Sequence, residues 1–331
     1  MSVLVTGGTG YIGSHTCVEL LKKGYDIVIA DNLSNSEIDV VDKIEKITGK
    51  RPAFYEVDIL DRDGIERIFS AHKIDAVIHF AGKKAVGESV EKPLMYYHNN
   101  ITGTIYVLEA MLKFGCKRIV FSSSATVYGV PKTVPIKEDS PLSAVNPYGA
   151  TKLYIEGMLK DLYVANKDLS ITLLRYFNPI GAHESGLIGD NPNGIPNNLM
   201  PYITRVAKGA LPQLGVYGND YPTHDGTGVR DYIHVIDLAV GHIKALEHMD
   251  RPGINAYNLG TGKGYSVLEI VNAFEKINNI KIPYIITERR PGDVAECYSD
   301  PSKAKDELGW VAEYSLEEMC ASSWNFQRQA N

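Results

Sequence analysis

Short apolar runs alternate with longer stretches of helical periodicity through the first half of this chain. Each run is rich in Val, Ile and Leu, as expected of strands that are buried on both faces. Alternation of this kind predicts an α/β fold, a doubly wound parallel sheet with helices on both sides. The predicted strands cover residues 3–6, 25–30, 54–57, 76–80, 118–122 and 171–177.

Helix signals fill the intervals between these runs and continue after them. Gly115 stands where a glycine is expected just past the end of a helix, and Ser266 with Glu269 forms a predicted capping box at the start of another. A short apolar run at 256–259 is expected to return to the main sheet. The helices predicted from these signals cover 14–23, 99–114, 147–166 and 235–248.

A glycine-rich turn joins the first predicted strand to the first helix. Gly8 allows a tight turn, Gly10 lets the backbone approach a pyrophosphate, and Gly13 lets the helix pack close to its strand. The second strand ends at Asp31, eighteen residues after Gly13, where an acid binds ribose hydroxyls and repels the additional phosphate of NADP. This order of elements predicts a Rossmann domain that binds NAD.

The texture of the chain changes after residue 177. Gly, Pro and Asn dominate 178–182 and 191–198, which is typical of loops that shape a pocket. We therefore expect a NAD-binding Rossmann domain over 1–177, with 231–260 returning to it. A smaller α/β C-terminal substrate domain is expected over 178–230 and 261–331.

Composition limits the possible partners. The chain has 331 residues, of which 44% are hydrophobic, and a net charge of −6, so it can bury a sizeable core and has no general attraction for nucleic acid or anionic lipid. The four cysteines lack metal-ligand spacing, so no metal is expected. With no signal peptide and no apolar run long enough to span a bilayer, we expect a cytoplasmic protein without a membrane partner.

One pair of residues carries the candidate chemistry. Tyr148 and Lys152 are four residues apart in a predicted helix and therefore share one face, and Ser124 lies just beyond an apolar strand. A phenol is a poor base near neutral pH unless a fixed cation lies beside it. Together these three residues predict a site of proton transfer next to the dinucleotide.

Several motifs together resemble the extended short-chain dehydrogenase/reductase superfamily and, within it, the UDP-galactose 4-epimerases. The resemblance covers nearly the whole chain, and the motifs after residue 177 are the more specific ones. They are Gly-Gly-Thr-Gly-Tyr-Ile-Gly at 7–13, Phe-Ala-Gly at 80–82, Ser-Ser-Ser-Ala-Thr-Val-Tyr-Gly at 122–129, Asn-Pro-Tyr-Gly-Ala-Thr-Lys at 146–152, Arg-Tyr-Phe-Asn-Pro at 175–179, Gly-Thr-Gly-Val-Arg-Asp-Tyr-Ile-His-Val at 226–235 and Arg-Arg-Pro-Gly-Asp at 289–293.

The resemblance implies that the protein interconverts UDP-galactose and UDP-glucose through a 4-keto sugar, with transient reduction of a bound NAD. Tyr148 is expected to take the proton of the sugar 4'-hydroxyl, with its pKa lowered by Lys152 and by the positive nicotinamide ring, while Ser124 contacts the same oxygen. NDP-sugar 4,6-dehydratases share the oxidation step but use an added acid and base. Ala125 and Thr126 cannot supply these groups, which disfavours dehydration.

The same resemblance implies two sets of binding residues. Among them, Arg230 and Arg290 are expected to bind the diphosphate, Asp293 a ribose hydroxyl, Asp58 with Ile59 the adenine, and Lys84 the pyrophosphate. The set around NAD is Gly7, Gly10, Tyr11, Ile12, Gly13, Asp31, Asn32, Asn35, Ser36, Asp58, Ile59, Phe80, Ala81, Gly82, Lys84, Asn99, Ser122, Tyr148, Lys152 and Phe177. The set around the UDP-hexose is Ser124, Tyr148, Asn178, Asn198, Leu199, Val216, Tyr217, Arg230, Arg290, Asp293 and Cys297.

The sequence leaves some alternatives open. Cys297 stands where some family members carry a bulky Tyr, so UDP-GlcNAc and UDP-GalNAc are candidate substrates as well, unless Cys297 only packs as a small apolar residue. Another NDP-sugar epimerase or dehydratase remains possible, and a non-enzymatic NAD-binding sensor is disfavoured by the intact Tyr, Lys and Ser. His79 and His234 lie in apolar runs and are expected to be structural. The resemblance also implies a homodimer formed through helices 99–114 and 148–166.

Overall fold

The computed structural model describes residues 1–194, 196–290 and 292–330. The protein has two parts with separate cores. The first layer is the large parallel sheet with the helices on its two faces, and the second layer is the part formed by the small sheets and their own helices. In chain order, the strands are β1 (Ser2–Thr6), β2 (Asp26–Asp31), β3 (Ala53–Glu56), β4 (Ala76–His79), β5 (Arg118–Ser124), β6 (Ser170–Tyr176), β7 (Asn178–Ile180), β8 (Leu214–Tyr217), β9 (Val229–His234), β10 (Gly253–Leu259), β11 (Gly264–Ser266), β12 (Tyr284–Thr287) and β13 (Glu296–Cys297).

The helices fill the connections between these strands. A π-helical turn (His98–Thr102) precedes α6, and a 3-10 turn (Ala125–Tyr128) follows β5. The α-helices are α1 (Tyr11–Lys22), α2 (Asp39–Thr48), α3 (Arg62–Ala71), α4 (Val86–Glu91), α5 (Pro93–Tyr97), α6 (Gly103–Phe114), α7 (Pro147–Ala165), α8 (Leu199–Ala207), α9 (Val235–Glu247), α10 (Val267–Asn278), α11 (Ser302–Leu308) and α12 (Leu316–Gln329). Among the helices that the structure describes, none combines the length and apolarity needed to cross a bilayer.

Seven strands form the large sheet, in the order β10-β6-β5-β4-β1-β2-β3, and all of its pairings are parallel. Successive side chains of a strand point to opposite faces, so Val3 and Val5 pack against α1, α2 and α9 while Leu4 packs against α3, α6 and α7. Burial on both faces explains the continuous apolar runs in the sequence. The predicted doubly wound parallel sheet is confirmed.

Local signals also placed most element boundaries within about two residues. Gly115 adopts a left-handed conformation with φ 73° at the end of α6, and Ser266 and Glu269 form the predicted capping box of α10. The helix predicted to begin at residue 99 instead passes through the π-helical turn before α6 starts at Gly103.

The second layer has its own core and two small sheets. In one of them β9 pairs with β11, β13 and β7, and in the other β12 pairs with β8. Its core is formed by α8, α10 and α12 around residues such as Ile203 and Phe274. The described part of this layer therefore has its own hydrophobic centre, as expected of a substrate domain.

The expectation that 231–260 returns to the large sheet is wrong for its first part. Residues 231–234 lie in β9. This strand pairs with β7 and β13 of the second layer and not with a strand of the large sheet. The return begins at α9, which packs on α1, and is completed by β10 beside β6. The domain limits themselves remain a prediction.

Candidate active site

The glycine-rich turn between β1 and α1 has no room for a side chain at Gly7 or Gly13. Gly7 has φ 71°, and a Cβ placed on it would lie 2.8 Å from the Ala81 backbone nitrogen. A Cβ on Gly13 would lie 2.2 Å from the Gly7 carbonyl oxygen. Gly10 caps α1 without a side-chain hydrogen bond, so the first amides of the helix face outward for an anion. This backbone cradle fits the pyrophosphate of a dinucleotide.

Asp31 lies beside this cradle at the end of β2 and is 9% exposed. Its carboxylate accepts hydrogen bonds from the Thr9 amide at 3.1 Å, the Leu33 amide at 3.0 Å and the Ser36 hydroxyl at 3.3 Å. Asn32 donates to Asp58 at 2.7 Å. The structure thus brings the residues predicted for the adenosine side together at the carboxyl ends of β2 and β3.

A second junction lies at the carboxyl end of β4. The backbone of Ala81 donates to Thr6 at 3.1 Å, which joins the residues after β4 to the end of β1. Lys83 donates its amide to Asn100 at 2.8 Å, and Asn100 donates to Thr151 at 3.0 Å. Asn100 is 2% exposed and lies in the π-helical turn, a feature often found at functional sites. Asn99, which is predicted to line NAD, donates to Asn100 at 3.0 Å, and Asn100 ties this loop to α7.

Tyr148, Lys152 and Ser124 come together where α7 begins above the end of β5. The Asn146 side chain accepts from the Gly149 amide at 2.8 Å and starts the helix, with Pro147 in its first turn. The Ser124 hydroxyl lies beside the Tyr148 phenol, near enough to lower the pKa of that group. Lys152 is 6% exposed and donates its ammonium to the Ser122 carbonyl at 2.5 Å.

Burial is the main influence on the protonation of this cluster in the protein alone. Burial raises the pKa of Tyr148, and the hydrogen bond from Ser124 only partly opposes this. Burial also lowers the pKa of Lys152 to about 8, while Glu156 opposes the shift. In the protein alone, burial therefore outweighs the effect of Ser124 on the pKa of Tyr148. The lowering expected from Lys152 together with a bound nicotinamide ring stays a prediction.

The two histidines of the apolar strands have structural surroundings. His79 is 1% exposed, lies between the hydroxyls of Thr6 at 2.7 Å and Thr104 at 2.9 Å, and has its pKa lowered to about 3 by burial. His234 accepts from the Ile236 amide at 3.1 Å and caps α9. Both roles agree with the expectation.

Four of the predicted substrate residues lie close together in the second layer: Tyr217, Arg230, Arg290 and Asp293. Arg230 on β9 is the register partner of Cys297 on β13. Arg290 donates to Asp293 at 3.0 Å and lies over the Tyr217 ring at 4.8 Å, and an Arg230 nitrogen lies 3.7 Å from the other Asp293 oxygen. Pro291, in the middle of the predicted Arg-Arg-Pro-Gly-Asp motif, lies outside the described residues, as does Ile195 in the run 191–198.

Other predicted substrate residues are placed less uniformly. Asn178 opens β7 and is exposed, and Asn198 caps α8 with a free, exposed side chain just before Leu199. Val216 is 1% exposed and packs in the core of the second layer, so its side chain does not reach the site. Contact of a substrate with Val216 would therefore have to use its backbone, and the assignment of Val216 to the substrate site stays a prediction.

Asp231, which sequence reasoning passed over, is a polar centre of this region. It is fully buried and accepts from the amide and hydroxyl of Thr261 at 2.8 and 2.7 Å and from the amide and hydroxyl of Ser299 at 3.0 and 2.6 Å. Burial raises its pKa, and these bonds oppose the shift. An acid next to Arg230 in an otherwise apolar strand was the signal that could have identified it.

Metal chemistry has no visible centre in the part of the chain that the structure describes. No group of three or more His, Cys, Asp or Glu side chains there is arranged to bind an ion. The cysteines are free thiols, of which Cys17, Cys116 and Cys320 are buried and Cys297 is half-buried. The candidate chemistry therefore rests on the tyrosine cluster and a dinucleotide.

Comparisons with known proteins identify the family of the chain. The family model described as GDP-mannose 4,6 dehydratase matches residues 4–323. A UDP-glucose 4-epimerase of Bacillus subtilis is 64% identical over 99% of this chain and 97% of its own length, and one of Haemophilus influenzae is 60% identical over 99% and 98%. The solved UDP-glucose 4-epimerase of Bifidobacterium longum, in complex with NAD+ and UDP, superposes with a TM-score of 0.97 at 55% identity over 99% of this chain and 98% of that one. The chain belongs to the UDP-glucose 4-epimerase family.

Proposed function

We propose that this protein is a UDP-glucose 4-epimerase, an isomerase that interconverts UDP-galactose and UDP-glucose with NAD as its cofactor. The observation that carries the proposal is the meeting of Tyr148, Ser124 and Lys152 at the strand ends that also hold the glycine cradle. Arginines of the second layer are suited to a diphosphate. Close relatives that bear this name support the same activity.

Bound NAD supplies an acceptor and donor of hydride at C4' of the sugar. Tyr148 takes the proton of the 4'-hydroxyl during oxidation and returns it after the sugar has turned over. Ser124 holds the same oxygen through its hydroxyl. Lys152, fixed by the Ser122 carbonyl, keeps a positive charge near the cofactor ribose and the phenolate.

The two layers divide the work of binding. Arg230 and Arg290 form charge-assisted hydrogen bonds to the diphosphate, so the nucleotide is held firmly. The hexose must expose both faces of C4' in turn, which requires that its own contacts be few. Apolar residues that pack with Cys297, such as Val127 and Phe177, offer the hexose few polar contacts on that side.

Dehydration lacks the groups that it needs. Ala125 and Thr126 follow Ser124 in the 3-10 turn, and neither side chain carries an acid or a base. The Thr126 amide donates to Ser124 at 3.2 Å, so this turn supports the serine. We therefore infer that the 4-keto sugar is reduced again and not dehydrated.

The range of hexoses belongs to the proposal as well. Cys297 is half-buried, and burial raises the pKa of its thiol to about 11, so it acts as a small neutral wall. A side chain of this size leaves room for a 2-acetamido group. We propose that the enzyme also converts UDP-GlcNAc and UDP-GalNAc.

A homodimer in the cytoplasm completes the proposal. Tyr154 and Val164 leave apolar surface on α7, with 56% and 67% of each residue exposed. A second copy that brings its α6 and α7 against this face would cover that surface in a four-helix contact. Light scattering on the eluted protein should give twice the mass of one chain, and a monomer would contradict the assembly.

The test of function is an assay of the purified protein without added NAD on UDP-galactose and UDP-GalNAc in parallel. Both should be converted. In Tyr148→Phe, kcat should fall by about 10²- to 10⁴-fold while the bound NAD is retained, because only the proton transfer is lost. Tyr163→Phe on the same helix is the control and should remain active. Conversion of neither substrate would point to another NDP-sugar, and conversion of UDP-galactose alone would refute the role of Cys297.

A further inference from the structure

A third polar side chain lies on the catalytic face of α7. Tyr148, Lys152 and Glu156 follow one another at intervals of four residues, so they line one side of the helix over two turns. Each contacts one residue at the end of β5. Tyr148 lies beside the Ser124 hydroxyl, Lys152 donates to the Ser122 carbonyl, and Glu156 accepts from the Ser123 hydroxyl at 2.6 Å.

Glu156 is also one half of a buried ion pair. Arg175 on β6 donates to both of its carboxylate oxygens, at 2.9 Å from Nε and 2.7 Å from Nη2. The exposed fractions of the two side chains are 0% for Glu156 and 2% for Arg175. The remaining guanidinium nitrogen donates to the Tyr128 hydroxyl and the Glu138 carbonyl, each at 2.9 Å. The pair is therefore fully hydrogen-bonded, which a buried pair requires.

The position of this pair connects three elements. Arg175 is the register partner of Ser123, so the guanidinium, the serine and the carboxylate join β6, β5 and α7 at one point. A slide or rotation of α7 would break a bidentate bond that has no water to replace it. We infer that Glu156 and Arg175 are positioning residues that hold α7 in register with β5, so that Tyr148 and Lys152 stay aligned with Ser124.

The inference rests on the proposed function and adds an electrostatic consequence. Titratable or charged groups around Lys152 are Tyr148 and Glu156 on its own helix, His79 on β4, and Arg175 with Tyr176 on β6. Of these, Glu156 opposes the effect of burial on the pKa of Lys152. Removal of the Glu156 charge would leave the buried Arg175 without its counter-ion and would remove the charge that opposes the lowering of the Lys152 pKa.

The test is the pH dependence of epimerisation by Glu156→Gln in the NAD-loaded enzyme. The expected kcat for UDP-galactose is about 10- to 100-fold below that of the unaltered enzyme, with KM little changed, because the reacting groups move while the arginines of the second layer do not. The alkaline limb of the profile should move to lower pH, as Lys152 loses its proton earlier. Asp161→Asn removes an exposed charge from the same helix and should change neither quantity.

A second variant separates the effect of the Glu156 charge from the effect of the position of α7. Glu156→Gln/Arg175→Met removes both charges, so the alkaline limb should return towards its original pH while kcat stays low, because α7 is still released. Hydrogen exchange over 147–160 should accelerate in both variants and not in Asp161→Asn. Correctly folded Glu156→Gln with an unmoved limb and unchanged exchange would overturn the inference. Inactivity of the unaltered enzyme and of Asp161→Asn on UDP-galactose would instead overturn the proposed function.

Discussion

Substitution of Gly13 by alanine should have two effects, a steric one within the protein and one on binding of the cofactor. The new Cβ would lie 2.2 Å from the Gly7 carbonyl oxygen and 2.9 Å from the Gly8 Cα. An ordinary contact needs roughly 3.5 Å, so α1 and the glycine-rich turn must move apart by roughly 1 Å. Such overpacking costs about 1–3 kcal/mol of folding free energy, partly offset by about 1 kcal/mol from the better helix propensity of alanine.

The displaced turn should also lose its fit to the pyrophosphate. One charge-assisted hydrogen bond is worth about 1.5–3 kcal/mol, so the Kd for NAD should rise by roughly 10- to 100-fold. The measurements are urea unfolding of the NAD-free protein and the NAD content of the purified protein after denaturation. Gly13→Ala should have a lower free energy of unfolding and a lower NAD content than the unaltered protein.

Two other glycines provide the matched controls. A Cβ on Gly10 would meet only the Gly7 carbonyl oxygen, at 3.3 Å, so Gly10→Ala should lose NAD with little loss of stability. A Cβ on Gly157 of α7 has nothing within 4 Å, so Gly157→Ala should keep NAD and gain about 0.5–1 kcal/mol. A Gly13→Ala protein with normal stability and a full load of NAD would refute the reasoning.

Three further predictions concern other parts of the site. Asp31→Ser should raise affinity for NADP relative to NAD by about tenfold or more, because the charge that repels the additional phosphate is removed; titration of the NAD-free protein with both cofactors measures the ratio. Arg230→Lys should raise KM for UDP-galactose about tenfold with kcat nearly unchanged, since lysine cannot form the forked contact, whereas Arg289→Lys, at an arginine paired with Asp220, should leave KM as it is. The pKa of Asp237 is raised by burial to about 6, so this carboxyl is protonated in the folded state where the unfolded chain has already ionised, and its contribution to stability is lost as pH rises from about 4 through 6. Urea unfolding at pH 4.5 and at pH 7.5 should therefore show that the stability of Asp237→Asn relative to the unaltered protein rises by about 1–3 kcal/mol between the two pH values. The same stability difference at both pH values would contradict this.

Much of the large sheet could be read from the order of the residues alone. Burial on both faces produces continuous apolar runs. Gly7 and Gly13 are required because a Cβ added to either would lie less than 3 Å from a backbone atom. The stop at Gly115 and the capping box at Ser266 are local hydrogen-bonding rules, so they could be predicted within a few residues.

Long-range pairing explains what could not be predicted. Glu156 and Arg175 are ordinary charged residues in the sequence, and only the parallel register of β5 and β6 brings the pair to one point behind Ser123. Asp231 likewise gains its role from segments 30 and 68 residues away. Periodicity shows which face of an element is buried, but it carries no information about the distant partner of a polar group.

The adjacent strands β7 and β9 have a consequence for how the sugar turns. The chain crosses between the layers just before β7 and just after β9. These two strands are hydrogen-bonded in parallel from Asn178 with Tyr232 to Ile180 with His234. A pair of joined strands cannot pivot as a single flexible linker does, so swinging the layers apart would break this ladder. We therefore expect the opening between them to change little in width. On this expectation the keto sugar reverses by rotation about the bonds to its own diphosphate, and the size of the ring limits which sugars can complete the turn.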